Sequence, residues 1–162
     1  MAKFSAQFVL RVLESLDTRL ATNLNGYIRA LGTNLPEVVS FDTPMEETTI
    51  FPAVYLEPVE ARLAQSDDDK QIDQQLEFAV HVAMTDIDFR QTRKKICQYV
   101  LAIDQCLRDM KAADFLSGGV TATVTEPVWE VTKHRYSGVL ENDRNLYRRD
   151  AELTLIIEIK EL

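Results

Sequence analysis

Residues 75–110, QLEFAVHVAMTDIDFRQTRKKICQYVLAIDQCLRDM, change their hydrophobic period halfway through. Leu76, Phe78, Val80, Val82 and Met84 alternate with Glu77, Ala79, His81 and Ala83. A period of two marks a strand with one apolar face. Beyond Thr85 the spacing changes to three, four and seven, through Phe89, Ile96, Val100, Ile103, Leu107 and Met110. That is one face of a helix. Asp86 and Asp88 sit at the change, and either suits the N-terminal end of the helix as a cap. The stretch therefore predicts a strand that turns into a helix lying on its own sheet.

Working outward, residues 5–31 carry a second helical stripe: Phe8, Val12, Leu16, Leu20, Leu24, Ile28 and Leu31. Ser5 is the expected N-cap and Gly32 the expected stop. Residues 32–47 read as a loop, and TTIFPAVYLEP at 48–58 as a strand bracketed by Pro52 and Pro58. Residues 60–74 read as a polar connection centred on Asp67, Asp68 and Asp69. Their consecutive spacing lacks the loop geometry of a calcium site, so a solvated hairpin tip is expected. After the stop at Gly118 and Gly119, a strand is expected through Val120, Ala122 and Val124, continuing to Val131 with a bulge or exposed edge at Pro127. Residues 133–149 are rich in charge and turn formers and read as a loop, with Ser137–Gly138 as one turn. The last strand is expected from Asp150 to Lys160, where Leu153, Leu155, Ile157 and Ile159 alternate with polar residues and Ile156 breaks the pattern.

The order is α-β-β-α-β-β, and 162 residues suit a single domain, 1–162. The expected fold is an α+β two-layer sandwich: a mainly antiparallel four-stranded sheet with helices packed on one face. How the two hairpins meet is left open by the pattern.

A formal net charge of -8 and a pI of about 4.8 argue against broad nucleic-acid binding, which draws on clustered Lys and Arg. Cys97 and Cys106 lie nine residues apart on one helix, about 13 Å along its axis, and cannot pair there. Free thiols suit a reducing cytoplasm. Arg11 and Glu14 interrupt the apolar run at Phe8, so no signal peptide is expected, and no run is long enough to span a membrane.

The chemistry-bearing motifs of nucleotide binding, nucleophilic catalysis and metal proteases do not occur. His81 and His134 are isolated from each other, and no cofactor or metal is expected. Interaction surfaces are the better prospect. The uncovered sheet face would present Ala79, His81, Ala83 and Ile156 to water or to a second subunit. A charge at Ala83 is then expected to disturb assembly more than folding. Arg90, Arg93 and Lys94 fall in the first turns of the helix, against its dipole. They read as a solvated face or as a contact for an acidic partner or a phosphate. Trp129 and Tyr136 lie near charged turns, where aromatic residues either anchor interfaces or complete the core. Sheet edges are a further possible contact.

Taken together, several stretches resemble one family. They are the helix at 5–31, FPAVYLEPVE, QLEFAVHVAMTDID with its helix ending LAIDQCLRDM, VTATVTEPVWE, and RRDAELTLIIEIKEL. In their order and character they resemble the tail terminator and tail-completion (head–tail joining) proteins of tailed bacteriophages. The resemblance implies a structural, non-enzymatic subunit that forms a ring, commonly a hexamer. Such a ring caps the tail tube and meets tube and head-connector proteins, with DNA only as passing cargo. It also implies residence in the host cytoplasm during assembly and at the tail–head junction of the virion. The alternatives are an adaptor module of a phage-like or secretion machine, and a small enzyme with an unrecognised cleft.

Overall fold

The computed structural model describes residues 6–65, 72–111, 127–142 and 146–161. The elements are α1 (Ala6–Ala30), β1 (Ala53–Gln65), β2 (Ile72–Asp86), α2 (Phe89–Arg108), β3 (Val128–Asn142) and β4 (Leu146–Glu161). The expected order and α+β class are therefore found. The sheet is antiparallel with strand order β1-β2-β4-β3. The two hairpins meet through β2 and β4, which pair from Ile72↔Glu161 to Asp86↔Tyr147.

The period-two pattern of β2 explains the packing. Leu76, Phe78, Val80 and Val82 stand opposite Ile157, Leu155, Leu153 and Ala151 on β4. All eight are buried in one core with Val54 and Leu56 of β1. The helices supply the other layer: Val12, Leu16, Leu20, Leu24 and Ile28 from α1, and Ile96, Val100, Ile103 and Leu107 from α2. Gly32 ends the first helix at a φ of 65°, a conformation that costs glycine least, and its N–H donates to the Arg29 carbonyl.

Asp88 is the N-cap of α2 and accepts the Arg90 N–H at 2.9 Å. Asp86 accepts the Asp88 N–H at 2.8 Å and pairs with Lys95. Burial alone would raise the Asp86 carboxyl, but Lys95 and the N–H groups of Asp88 and Ile87 together hold it below its ordinary value. A depressed carboxylate stabilises the fold fully above its unfolded value, about 3.9, and that contribution fades as pH falls through the folded value. Urea unfolding at about pH 6 and about pH 3 should show a loss in acid that Asp86→Asn reduces.

Residues 33–52 form a strap around β1. Asn25 of α1 brackets Val38, donating to its carbonyl at 3.0 Å and accepting its N–H at 2.8 Å. The buried Tyr99 hydroxyl donates to the Pro36 carbonyl at 2.6 Å. The strap then crosses the β1 edge through a parallel bridge, Ser40↔Ala53. It continues onto the far face of the sheet, where Arg148 donates to the Met45 carbonyl at 2.8 Å and lies over the Phe51 ring.

Several sequence expectations are corrected. β1 continues past Pro58 to Gln65, because Pro58 lies on an edge strand beside a bulge, where its missing N–H costs no ladder bond. Residues 133–142 are strand, not loop. Ser137–Gly138 is a bulge closed by the Ser137 hydroxyl, which donates to the Asp150 carbonyl and accepts the Asp150 N–H, both at 2.9 Å. Pro127 precedes β3 instead of interrupting it. Phe89 does not join the core stripe: it is 53% exposed and meets Tyr147 edge-on at 5.8 Å. The strand expected at Val120–Val124, the stop at Gly118–Gly119, and Asp67–Asp69 lie outside the described residues.

Candidate interface surfaces

The face of the sheet turned away from the helices follows from the register. β2 presents Glu77, Ala79 and His81 there, and β4 presents Glu152, Thr154 and Ile156 beside them. β1 adds Tyr55 and Glu57. His81 lies between two carboxylates, its Nε2 at 3.0 Å from Glu57 and its Nδ1 at 3.9 Å from Glu152. Glu158 extends the acidic lane opposite Gln75. Arg148 faces the same side but is held by Asp150 at 2.8 Å.

Of the residues expected on this face, His81 and Ile156 are partly exposed, whereas Ala79 and Ala83 are buried at 3% and 0%. Ala83 is thus not a surface for a neighbour. The strap covers it: Met45, Ala53 and Ala83 form a second small core with Phe51 and Tyr55. Ala79 stands between Glu57 and Thr154, longer side chains on both neighbouring strands.

A second surface forms where α2 meets β3. Asp104, nearly buried, pairs with Arg108 one turn on and with His134 of β3 at 2.9 Å. Cys97, seven residues earlier and so on the same side of the helix, interacts with Tyr136. Burial first, and then the charges nearby, raise the Tyr136 hydroxyl above its ordinary value. Arg93 and Arg90 continue this row toward the helix start, four and seven residues before Cys97. Arg90, Arg93 and Lys94 are all exposed, and among the described residues they make no ion pair. Trp129 instead completes the core: it is half-buried, packs on the main cluster, and donates from Nε1 to the Leu107 carbonyl at 3.1 Å.

The cysteines differ as their helix positions require. Cys97 is exposed and Cys106 buried, and burial pushes the Cys106 thiol up to about 11 despite the nearby Arg19. Iodoacetamide should therefore modify the native monomer at Cys97 only, with Cys106 reacting on unfolding, as peptide mass mapping would show.

Sequence reading had Glu77 and His81 on one strand face. It missed the lane they form with Glu57, Glu152 and Glu158, because only the strand order sets β1 and β4 beside β2. The alternation of β4 carried the signal, since Glu152 and Glu158 share the phase of its polar face. An open depression of about 550 Å³ lies at the start of β3, lined by Arg108, Trp129, Glu130 and their neighbours, away from His81. Among the described residues, no group of three or more His, Cys, Asp or Glu side chains is arranged to hold a metal, and no helix is long and apolar enough to cross a membrane.

No family model matches the chain, and no curated protein matches it in sequence. Among solved structures, the fold is shared with a chain from the virion of a native gene transfer agent (GTA) particle. The TM-score is 0.51 at 13% identity, covering 95% of this chain and 99% of that one.

Proposed function

We propose that this protein is a structural subunit of a phage-like virion. It forms a ring, commonly of six copies in proteins of the kind it resembles, that caps the end of a tail tube and joins it to the head connector. The observation that carries this reading is the extent of the likeness: the fold is held in common with a virion chain over 95% of one and 99% of the other. The role proposed is one of shape and contact, with tail-tube and connector proteins as partners and DNA passing through as cargo. The protein would be made in the host cytoplasm and end at the tail–head junction.

Sedimentation velocity and negative-stain imaging, with and without purified tail tubes, test the proposal. Rings that decorate tube ends are expected. A chain that stays strictly monomeric even with tubes present overturns it.

A further inference from the structure

Two surfaces of this subunit carry opposite charge and lie on different sides. The open sheet face carries an excess of carboxylates: Glu57 and Glu152 flank His81, and Glu60, Glu77, Glu130 and Glu158 share the face with the cations Arg62, Lys133 and Arg135. The start of α2 presents Arg90, Arg93 and Lys94, exposed at the end of the helix whose dipole disfavours cations. An anionic neighbour would offset that cost.

The sheet edges are poor alternatives for joining copies. β1 is guarded by Pro58, by the bulge at Pro58/Glu60 and by the strap bridge at Ser40. β3 carries two bulges as well as Lys133 and Arg135. Bulges, prolines and charges are the devices that keep an edge from accepting another strand. Contact between copies is therefore left to the faces.

Charge then decides the symmetry. A two-fold contact through the open faces would set two faces of net negative charge against each other. One through the helix starts would oppose Arg90, Arg93 and Lys94 to their own copies, with Asp88 as the one exposed acid beside them among the described residues. A head-to-tail contact pairs unlike charges, and such a heterologous contact is the kind that closes into a ring. We infer that the acidic open face of one copy receives the basic first turns of α2 from the next copy. This rests on the ring-forming reading above and gives it a specific contact.

Charge reversal tests it. Arg93→Glu with Lys94→Glu should abolish rings while leaving the thermal melt of the monomer unchanged, and Glu57→Lys with Glu152→Lys should do the same. All four changes in one chain should restore rings, since every contact is then reversed together. In the wild type, Cys97 lies on the same helix row and should be alkylated roughly ten-fold more slowly in rings than in monomers released by dilution. That measurement decides the matter even if a charge variant fails to fold. Rings that survive in either double variant, no recovery in the fourfold variant, or equal alkylation rates overturn this contact and leave the ring reading standing. A wild-type chain that never forms rings, even on tail tubes, overturns the reading itself and this contact with it.

Discussion

Ala83→Glu is expected to unfold the isolated subunit, not merely to block its assembly. Ala83 has no exposed surface and lies under Met45 and Phe51 of the strap, with Asp150 directly opposite on β4. A glutamate there has two poor options. With the strap in place, its carboxylate is buried beside Asp150, whose Arg148 is already committed to that carboxylate and to the Met45 carbonyl. A buried charge without a partner of its own costs several kcal/mol even after its pKa shifts. With the strap displaced, the Arg148–Met45 hydrogen bond and the Phe51 contact are lost as well. Total stabilities of about 5–15 kcal/mol leave little margin for either. Gln75→Glu, on the same face but partly exposed, should shift the urea midpoint only slightly. A folded Ala83→Glu monomer with a wild-type midpoint would show that the strap does not seal this end of the sheet.

Phe78→Ala should be the most damaging simple truncation, at about 3–5 kcal/mol. Phe78 is fully buried at the middle of β2, between Pro58 on one neighbouring strand and Leu155 on the other. It is among the largest side chains in the core, and both layers are tied to the sheet there. Long strands paired on both sides cannot collapse inward to fill the space, so the cavity cost should fall near the upper end of the range. Urea unfolding monitored at Trp129 should show a lower midpoint with an unchanged slope. A loss under about 1 kcal/mol would mean that the helices close over the gap.

The contrast between Val82 and Ala83 shows what could be read from sequence. Val82 belongs to an uninterrupted apolar alternation, so its face was legible, and the structure buries it against Ala151. Ala83 is small and fits either a core or a surface. Its burial depends on Met45, 38 residues away and in a segment without a periodic signal. β3 was hidden for a related reason. As an edge strand solvated over residues 132–138, it has no apolar face to reveal a period, and its Ser137–Gly138 bulge has the composition of a turn. The basic row at Arg90, Arg93 and Lys94 was legible because helical spacing alone places it. The acidic lane was not, because it is assembled from three strands.

The position of β4 bears on how the chain is made. β4 is synthesised after every other described element, yet it lies inside the sheet, between β2 and β3. Before residues 146–161 are made, the helices and the first hairpin can assemble only with one edge of β2 unpaired. Until then the core row of Leu76, Phe78, Val80 and Val82 lacks its neighbours Ile157, Leu155, Leu153 and Ala151. Closing it requires contacts such as Leu76↔Ile157 across 81 residues, the kind of non-local pairing that slows folding. The chain's most apolar strand is thus half-paired until β4 is free to dock, and exposed apolar strands of this kind are where mispairing between copies arises.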